Sequence, residues 1–246
     1  MIAVLDGATA RTGTGCVHGV AWYARHLADA IIGRPDLLPA DALASAIAQT
    51  ADQHRGCDLG HPGTPSAAVA IAQVRAGVLR YLVLGDVTIV TETRDGLQVV
   101  TDDRVSQTAR AERAVADALP NGSLEKAEAL VRMKHAELAA RNVPGGFWVA
   151  TTDPRVVKHA ITGEVPLADL HRIALLTDGA ARAVNPLMIY DWPGLMALLA
   201  SARPAELIRQ VRAAESNDPD AIRWPRNKVH DDATAVAVEF GDQRAG

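Results

Sequence analysis

The stretch AAVAIAQVRAGVLRYLVLGDVTIVTETRDGLQVVT, residues 67–101, decides the fold. Its opening alternates with period two. Ala67, Val69, Ile71 and Gln73 fall on one side, and Ser66, Ala68, Ala70 and Ala72 on the other, the pattern of an extended chain rather than a helix. Breaks at Ala76-Gly77, Gly85-Asp86 and Arg94-Asp95-Gly96 cut the stretch into four short strands at 67–75, 79–84, 87–93 and 97–101. A parallel strand–helix–strand unit needs a crossover of roughly a dozen residues, far more than these breaks supply, so the spacing predicts an antiparallel meander.

Working outward, Ile2-Ala3-Val4-Leu5 is an apolar run closed by Asp6-Gly7, which predicts a buried strand that ends on a carboxylate. Residues 17–32 carry apolar side chains at helical spacing, and a second helix begins near Pro39. Beyond the strands, helices are expected at 104–118 and at 123–142, the latter with Ser123 as N-cap. Short apolar runs at 147–151, 156–159 and 173–176 read as strands, and 192–201 and 204–215 as helices. A polar loop at 216–228 leads into a last strand at 233–240. Strands and helices come in blocks, with no Gly/Ser linker between them, so the expected fold class is α+β in a single domain spanning 1–246.

Composition narrows the function. With 25 Lys+Arg against 29 Asp+Glu the net charge is −4, which gives no basic field for nucleic acid, and 48% apolar residues suffice for a packed core. Cys16 and Cys57 belong to no C-x-x-C pair, so neither a disulfide framework nor a zinc knuckle is indicated and both are expected to fill core space. No apolar stretch is long enough to span a bilayer and the N-terminus lacks the features of a signal peptide, so a cytoplasmic protein away from membranes is expected.

Chemistry concentrates in aspartates that abut strands. Asp6 ends the first strand, Asp178 ends 173–176 as Thr-Asp-Gly, Asp231-Asp232 precedes the last strand, and Asp86 sits between two strands. A lone Asp-Gly makes a turn. Several carboxylates at one sheet end repel one another and raise each other's pKa values unless a cation neutralises them. Oxygen ligands without a His or Cys cluster select Mg²⁺ or Mn²⁺ over zinc. Two such ions about 3.5–4 Å apart share a water, lower its pKa from about 15.7 toward neutrality and direct it at phosphorus in line.

These residues resemble the metal-dependent type 2C protein serine/threonine phosphatases. Val4-Leu5-Asp6-Gly7 resembles the family's apolar-Asp-Gly motif. Gly63-Thr64-Pro65-Ser66-Ala67-Ala68 is similar to its Gly-Thr-Thr-Ala segment, and Leu82-Val83-Leu84-Gly85-Asp86 to Ala-Asn-Val-Gly-Asp-Ser. Leu175-Leu176-Thr177-Asp178-Gly179 resembles the Ser-Asp-Gly motif, and Asp231-Asp232-Ala233-Thr234-Ala235-Val236 resembles Asp-Asn-Ile-Thr-Val-Val. The resemblance implies a four-layer α/β/β/α sandwich of two antiparallel sheets flanked by helices. It also implies Mg²⁺/Mn²⁺-dependent hydrolysis of phosphoserine and phosphothreonine in proteins. Asp6 would bridge two ions, the Gly7 carbonyl would bind one, Asp178 and Asp231 would complete the site, and Asp86 would help hold a weaker third. Asp6, Asp178 and Asp231 would act in catalysis through the water these ions hold.

The departures from the family pattern define an alternative. Members usually carry a strand ahead of the apolar-Asp-Gly motif, with an Arg that binds phosphate and an acidic residue near the metals, and this sequence opens directly on the motif. Ala8 stands where many members have His, and Val87 where Ser follows Gly-Asp. Either upstream sequence supplies the missing strand, or the chain is a catalytically impaired regulatory or binding module. Arg11 could replace the lost guanidinium, although solvation at the approach to the first helix is the plainer expectation. A haloacid dehalogenase-type reading of Leu5-Asp6-Gly7-Ala8-Thr9 ranks well below these, because that chemistry needs a nucleophilic Asp two residues before Asp6, where position 4 is Val, and because the four-strand meander argues against its parallel sheet.

Other features have modest expectations. Thr12-Gly13-Thr14-Gly15 matches no phosphate-loop spacing and reads as a flexible approach to the helix. His18, His159 and His230 read as surface or packing residues, with His230 placed to support Asp231. Asp153 caps a turn, and Trp192 and Trp224 anchor packing, with Trp224 placed to line a substrate entrance.

Overall fold

A computed structural model describes residues 1–241. Eight strands form two antiparallel sheets. The first has the order β1-β2-β3-β6, built from β1 (Ile2–Gly7), β2 (Ala67–Arg75), β3 (Val78–Leu84) and β6 (Ile161–Pro166). The second has the order β5-β4-β7-β8, from β4 (Thr88–Thr93), β5 (Gly96–Thr101), β7 (Leu170–Leu176) and β8 (Ala235–Glu239). The four strands expected between 67 and 101 are all present, but they do not form one meander. β2–β3 and β4–β5 are separate hairpins in different sheets, and the chain crosses between them at Gly85-Asp86-Val87. Gly85 makes that crossing with φ +85°, and a Cβ there would meet the Cβ of Ala68 at 2.7 Å.

The period-two pattern sorts residues into layers. Val69 and Ile71 of β2, with Leu82 and Leu84 of β3, face α1 (Val20–Ile32) and α2 (Pro39–Gln53). The alternate residues Ala68, Ala70 and Val83 meet Ile89, Ile173 and Leu175 of the second sheet. Val90, Ala174 and Leu176 face outward onto α7 (Trp192–Ser201) and α8 (Pro204–Ser216). Helices, two sheets and helices again make the four layers.

Several local expectations require correction. Residues 104–118 form two helices, α3 (Arg104–Gln107) and α4 (Arg110–Asp117), because Ala109 between them takes φ 52°. The apolar run at 156–159 is part of a 3₁₀ helix at Pro154–His159. Pro154 sits in its first turn and the Asp153 side chain accepts from the Arg155 amide, which is the capping expected of Asp153. Residues 147–151 make only isolated bridges, Ala67 with Ala150 and Arg141 with Phe147. Strand β6 was not anticipated. Helix α5 (Leu124–Ala140) starts as expected, the Ser123 side chain accepting from the Lys126 amide at 3.1 Å. Among the described residues no helix is long and apolar enough to cross a membrane.

The loop after α8 is held by one carboxylate. Asp218, buried, accepts from the amides of Ile222 and Arg223 on one oxygen and from the Trp224 amide and the Arg226 guanidinium, at 2.7 Å, on the other. Burial alone would push its pKa up. The hydrogen bonds from Arg223, Arg226, Trp224 and Ile222 outweigh it and hold the group at about 2.

Two stability outcomes follow from these contacts. Ile71→Ala empties a fully buried position between the first sheet and α1/α2, and a urea titration should show a loss of about 3 kcal/mol. Val74→Ala, on the same strand but 43% exposed, should stay within about 0.5 kcal/mol of the parent. Asp218→Asn turns an acceptor into a donor facing donors and should cost about 3 kcal/mol at neutral pH. Because folding lowers this pKa, the carboxylate's contribution is complete above the unfolded value of 3.8 and is lost as pH falls through about 2. The gap between parent and variant should therefore narrow over that window in denaturation midpoints measured against pH.

Candidate active site

Strand register brings the aspartates together. In the β1–β2 pairing Asp6 lies opposite Ala68 and Gly7 opposite Ala67, and Ala68 is the residue against which Gly85 is seated. In the β4–β7 pairing Thr88 lies opposite Leu176. Asp86 lies two residues before Thr88, and Asp178, the first residue of α6 (Asp178–Ala181), two residues after Leu176. β8 pairs with β7 through Leu176 and Ala235. Beyond that pair the Thr177 amide donates to the Thr234 carbonyl at 3.0 Å, and the Thr234 amide donates to the Thr177 hydroxyl at 2.9 Å. Gly179 makes the approach of Asp231-Asp232 possible, since a Cβ there would lie 2.2 Å from the Asp232 carbonyl oxygen.

Asp6, Gly7, Asp86, Asp178 and Asp231 all line one cavity of about 370 Å³ at this end of both sheets. Each of the four carboxylates is half-buried. Desolvation by the surrounding protein, then the neighbouring Asp178, and then repulsion from Asp86 and Asp231 push Asp6 up to about 9. Desolvation and the neighbouring Asp178 push Asp86 up to about 7. Oxygen donors gathered in this way, at a cost that a positive charge would remove, fit a hard divalent cation. Among the described residues no three of these carboxylates bring oxygens within 4.8 Å of one another.

Around the carboxylates stands a basic tier that the sequence motifs did not disclose. Arg182 donates to Glu215 at 2.8 Å and to Asp231 at 2.6 Å, and Lys228 also pairs with Asp231. Glu215 is fully buried and further engaged by Arg212 at 2.6 Å. His230 meets Glu215 at 2.9 Å, so it supports Asp231 only at one remove. Lys134 and Glu137 of α5, and Arg141 just past its C-terminus, line the cavity, a spacing visible in the sequence. Arg113 pairs with Glu137 at 2.9 Å. Arg141 is committed to the carbonyls of Thr64, at 2.7 Å, and Pro62, at 2.5 Å.

Arg11 departs from the solvation role expected of it. It lines the cavity, and among the described residues its side chain makes one hydrogen bond, to the Asn227 carbonyl at 3.1 Å. Desolvation pushes its pKa down, with Glu137 and Asp231 opposing. Trp224 and Trp192 pack against the α7–α8 core, and Arg223 lies over the Trp224 ring at 4.3 Å. The cavity wall at that point is Pro225, Arg226, Asn227 and Lys228 rather than Trp224. His159 stacks on Trp148 as a packing residue, whereas His18 does not stand alone.

Comparison with known proteins agrees with this architecture. A serine-threonine phosphatase 2C from Toxoplasma gondii superposes with a TM-score of 0.52 at 12% identity, over 97% of this chain and 84% of that one. PppA, a key regulatory component of T6SS in Pseudomonas aeruginosa, gives 0.52 at 13% identity over 97% and 85%. The catalytic domain of the serine threonine protein phosphatase PstP, in complex with 2 manganese ions, gives 0.51 at 14% identity over 96% and 86%. At such identities the likeness is one of fold. No curated protein sequence matches. The sequence profile of protein phosphatase 2C matches residues 1–215, a span that holds Asp6, Asp86 and Asp178 and stops short of Asp231. On that match across most of its length, the chain belongs to the protein phosphatase 2C family.

Proposed function

We propose that this chain is a Mg²⁺/Mn²⁺-dependent phosphatase acting on phosphoserine and phosphothreonine in proteins. In this reading Asp6, the Gly7 carbonyl, Asp178 and Asp231 hold two ions, and Asp86 helps to hold a weaker third. The observation that carries it is the convergence of four aspartates on one cavity, where burial first and mutual repulsion second push Asp6 up to about 9 and Asp86 up to about 7. Bound among them, divalent ions supply neutralising charge and an acidified water for attack on phosphorus.

The chain's own residues do the rest. Arg11, with guanidinium donors left over after its bond to Asn227, forks onto the phosphate oxygens and takes the role the family gives to an Arg on its first strand. Arg113 and Arg141, already paired to Glu137 and to backbone carbonyls, keep the wall in place. Phosphoprotein as the substrate class rests on membership of the family.

One observation favours the second reading, a phosphatase-fold regulatory or binding module without turnover. Asp231 already has two cationic partners in Arg182 and Lys228, and so is the carboxylate least in need of a metal.

The two readings part in one assay. The phosphatase should hydrolyse p-nitrophenyl phosphate and a phosphothreonine peptide with Mn²⁺, and lose that activity on chelation and in Asp178→Asn. Manganese binding by calorimetry without hydrolysis would establish the module instead. Arg11→Ala should lower kcat/KM by about tenfold or more, equivalent to about 1.4 kcal/mol of transition-state stabilisation, with Arg11→Lys recovering only part. An unchanged kcat/KM would remove Arg11 from the phosphate site.

A further inference from the structure

The two cysteines do not fill core space. Cys16 lies on the loop between β1 and α1, and Cys57 on the loop between α2 and β2, 41 positions apart, yet their sulfurs are 3.5 Å from each other. His18 completes a triangle, its Nδ1 lying 3.3 Å from the Cys57 sulfur and 3.9 Å from the Cys16 sulfur. All three residues are half-buried and both thiols are free.

We propose that Cys16, His18 and Cys57 form a binding site for one thiophilic cation of the zinc type, separate from the aspartate centre and independent of whether that centre hydrolyses phosphate.

The triangle has the right dimensions. A tetrahedral Zn²⁺ with bonds of about 2.3 Å to sulfur and about 2.0–2.1 Å to nitrogen sets its ligand atoms about 3.8 Å apart for two sulfurs and about 3.5 Å for sulfur and nitrogen. The three observed edges of 3.5, 3.3 and 3.9 Å span the same range. Two soft sulfurs and an imidazole select zinc and its chemical relatives over the hard ions suited to carboxylates.

The surroundings hold the ligands in place. The His18 amide donates to the Cys16 sulfur at 3.4 Å, which fixes that sulfur beside the imidazole. The His18 ring stacks on Trp22 with centroids 4.3 Å apart, and the His54 ring stands edge-on to it at 5.5 Å. Backbone contacts draw the two loops together. The Asp58 amide donates to the Gly15 carbonyl at 2.8 Å, and Gly15, at φ +66°, is so close to His61 that a Cβ would lie 2.5 Å from that side chain's own Cβ. With three protein ligands the fourth position is left to water or a small ligand, and the cation would clip together the loops that follow Asp6-Gly7 and precede β2.

Cobalt tests this directly. The full chain, reduced and freed of metal, should bind one Co²⁺ with a thiolate-to-cobalt charge-transfer band in the near ultraviolet. Zn²⁺ should displace that Co²⁺ and Mn²⁺ should not. The band should persist in Asp178→Asn, which disables the carboxylate centre, so failure of the phosphatase reading would leave this result standing. Cys57→Ser and His18→Gln, checked for folding by circular dichroism, should each weaken Co²⁺ binding by at least about tenfold. No charge-transfer band in the reduced parent chain overturns the proposal, as does a band of undiminished affinity in folded His18→Gln.

Discussion

The antiparallel pairing of β4 with β7 is the constraint on which the cavity depends. Asp86 and Asp178 each lie two residues beyond the Thr88–Leu176 pair and line the same cavity, and a slip of one residue would turn every side chain of one strand to the wrong face. That register is fixed by burial on both faces of the sheet. Ile89, Ile173 and Leu175 fill the layer between the sheets, while Val90, Ala174 and Leu176 fill the layer under α7 and α8. Apolar packing thus sets the geometry of a polar site, and the free energy that holds the aspartates together against their mutual repulsion comes from side chains that never touch the cavity.

Much of this was legible in the sequence. Alternation in residues 67–101 announces strands because a pleated chain sends successive side chains to opposite faces, and Ala68/Val69 and Ala70/Ile71 do separate into different layers. The aspartates expected to meet do line one cavity, since strand ends are where a buried apolar run must stop. Hairpin assignment was not legible. β2–β3 and β4–β5 look alike locally, and only the crossing at Gly85, seated on Ala68, sends them to different sheets. β6 is an edge strand whose Thr162, Gly163 and Glu164 interrupt any apolar pattern, so its pairing with β3 is visible only in three dimensions. Pro154 and Asp153 carried the signal for a 3₁₀ turn, but the apolar run after them read as strand.

The same limit hid the Cys16–His18–Cys57 triangle. Spacing arguments find metal ligands when two of them share a turn, and here the sequence offers only Cys-x-His on one loop, with the remaining sulfur 41 positions away. The long-range approach depends on Gly15, and nothing local to either loop predicts the other. The basic tier was partly accessible, because Lys134, Glu137 and Arg141 recur at helical spacing along α5 and just past its C-terminus, while Arg182 gains its meaning only from buried Glu215.

Arg182 also determines how Asp231 can behave. Its guanidinium spans Glu215 and Asp231 and is only 11% exposed, and withdrawing it would take from the fully buried Glu215 one of three partners, Arg212 and His230 remaining. Lys228, more exposed at 29%, can withdraw at lower cost. A dication arriving beside Asp231 would therefore displace Lys228 and share the carboxylate with Arg182. In the proposed metal site, positive charge retained on that side would lower the pull of Asp231 on the metal and leave Asp6 and Asp178 as the stronger donors. Unequal affinity across the carboxylate set would then come from Glu215 of α8, which anchors Arg182, rather than from the aspartates themselves.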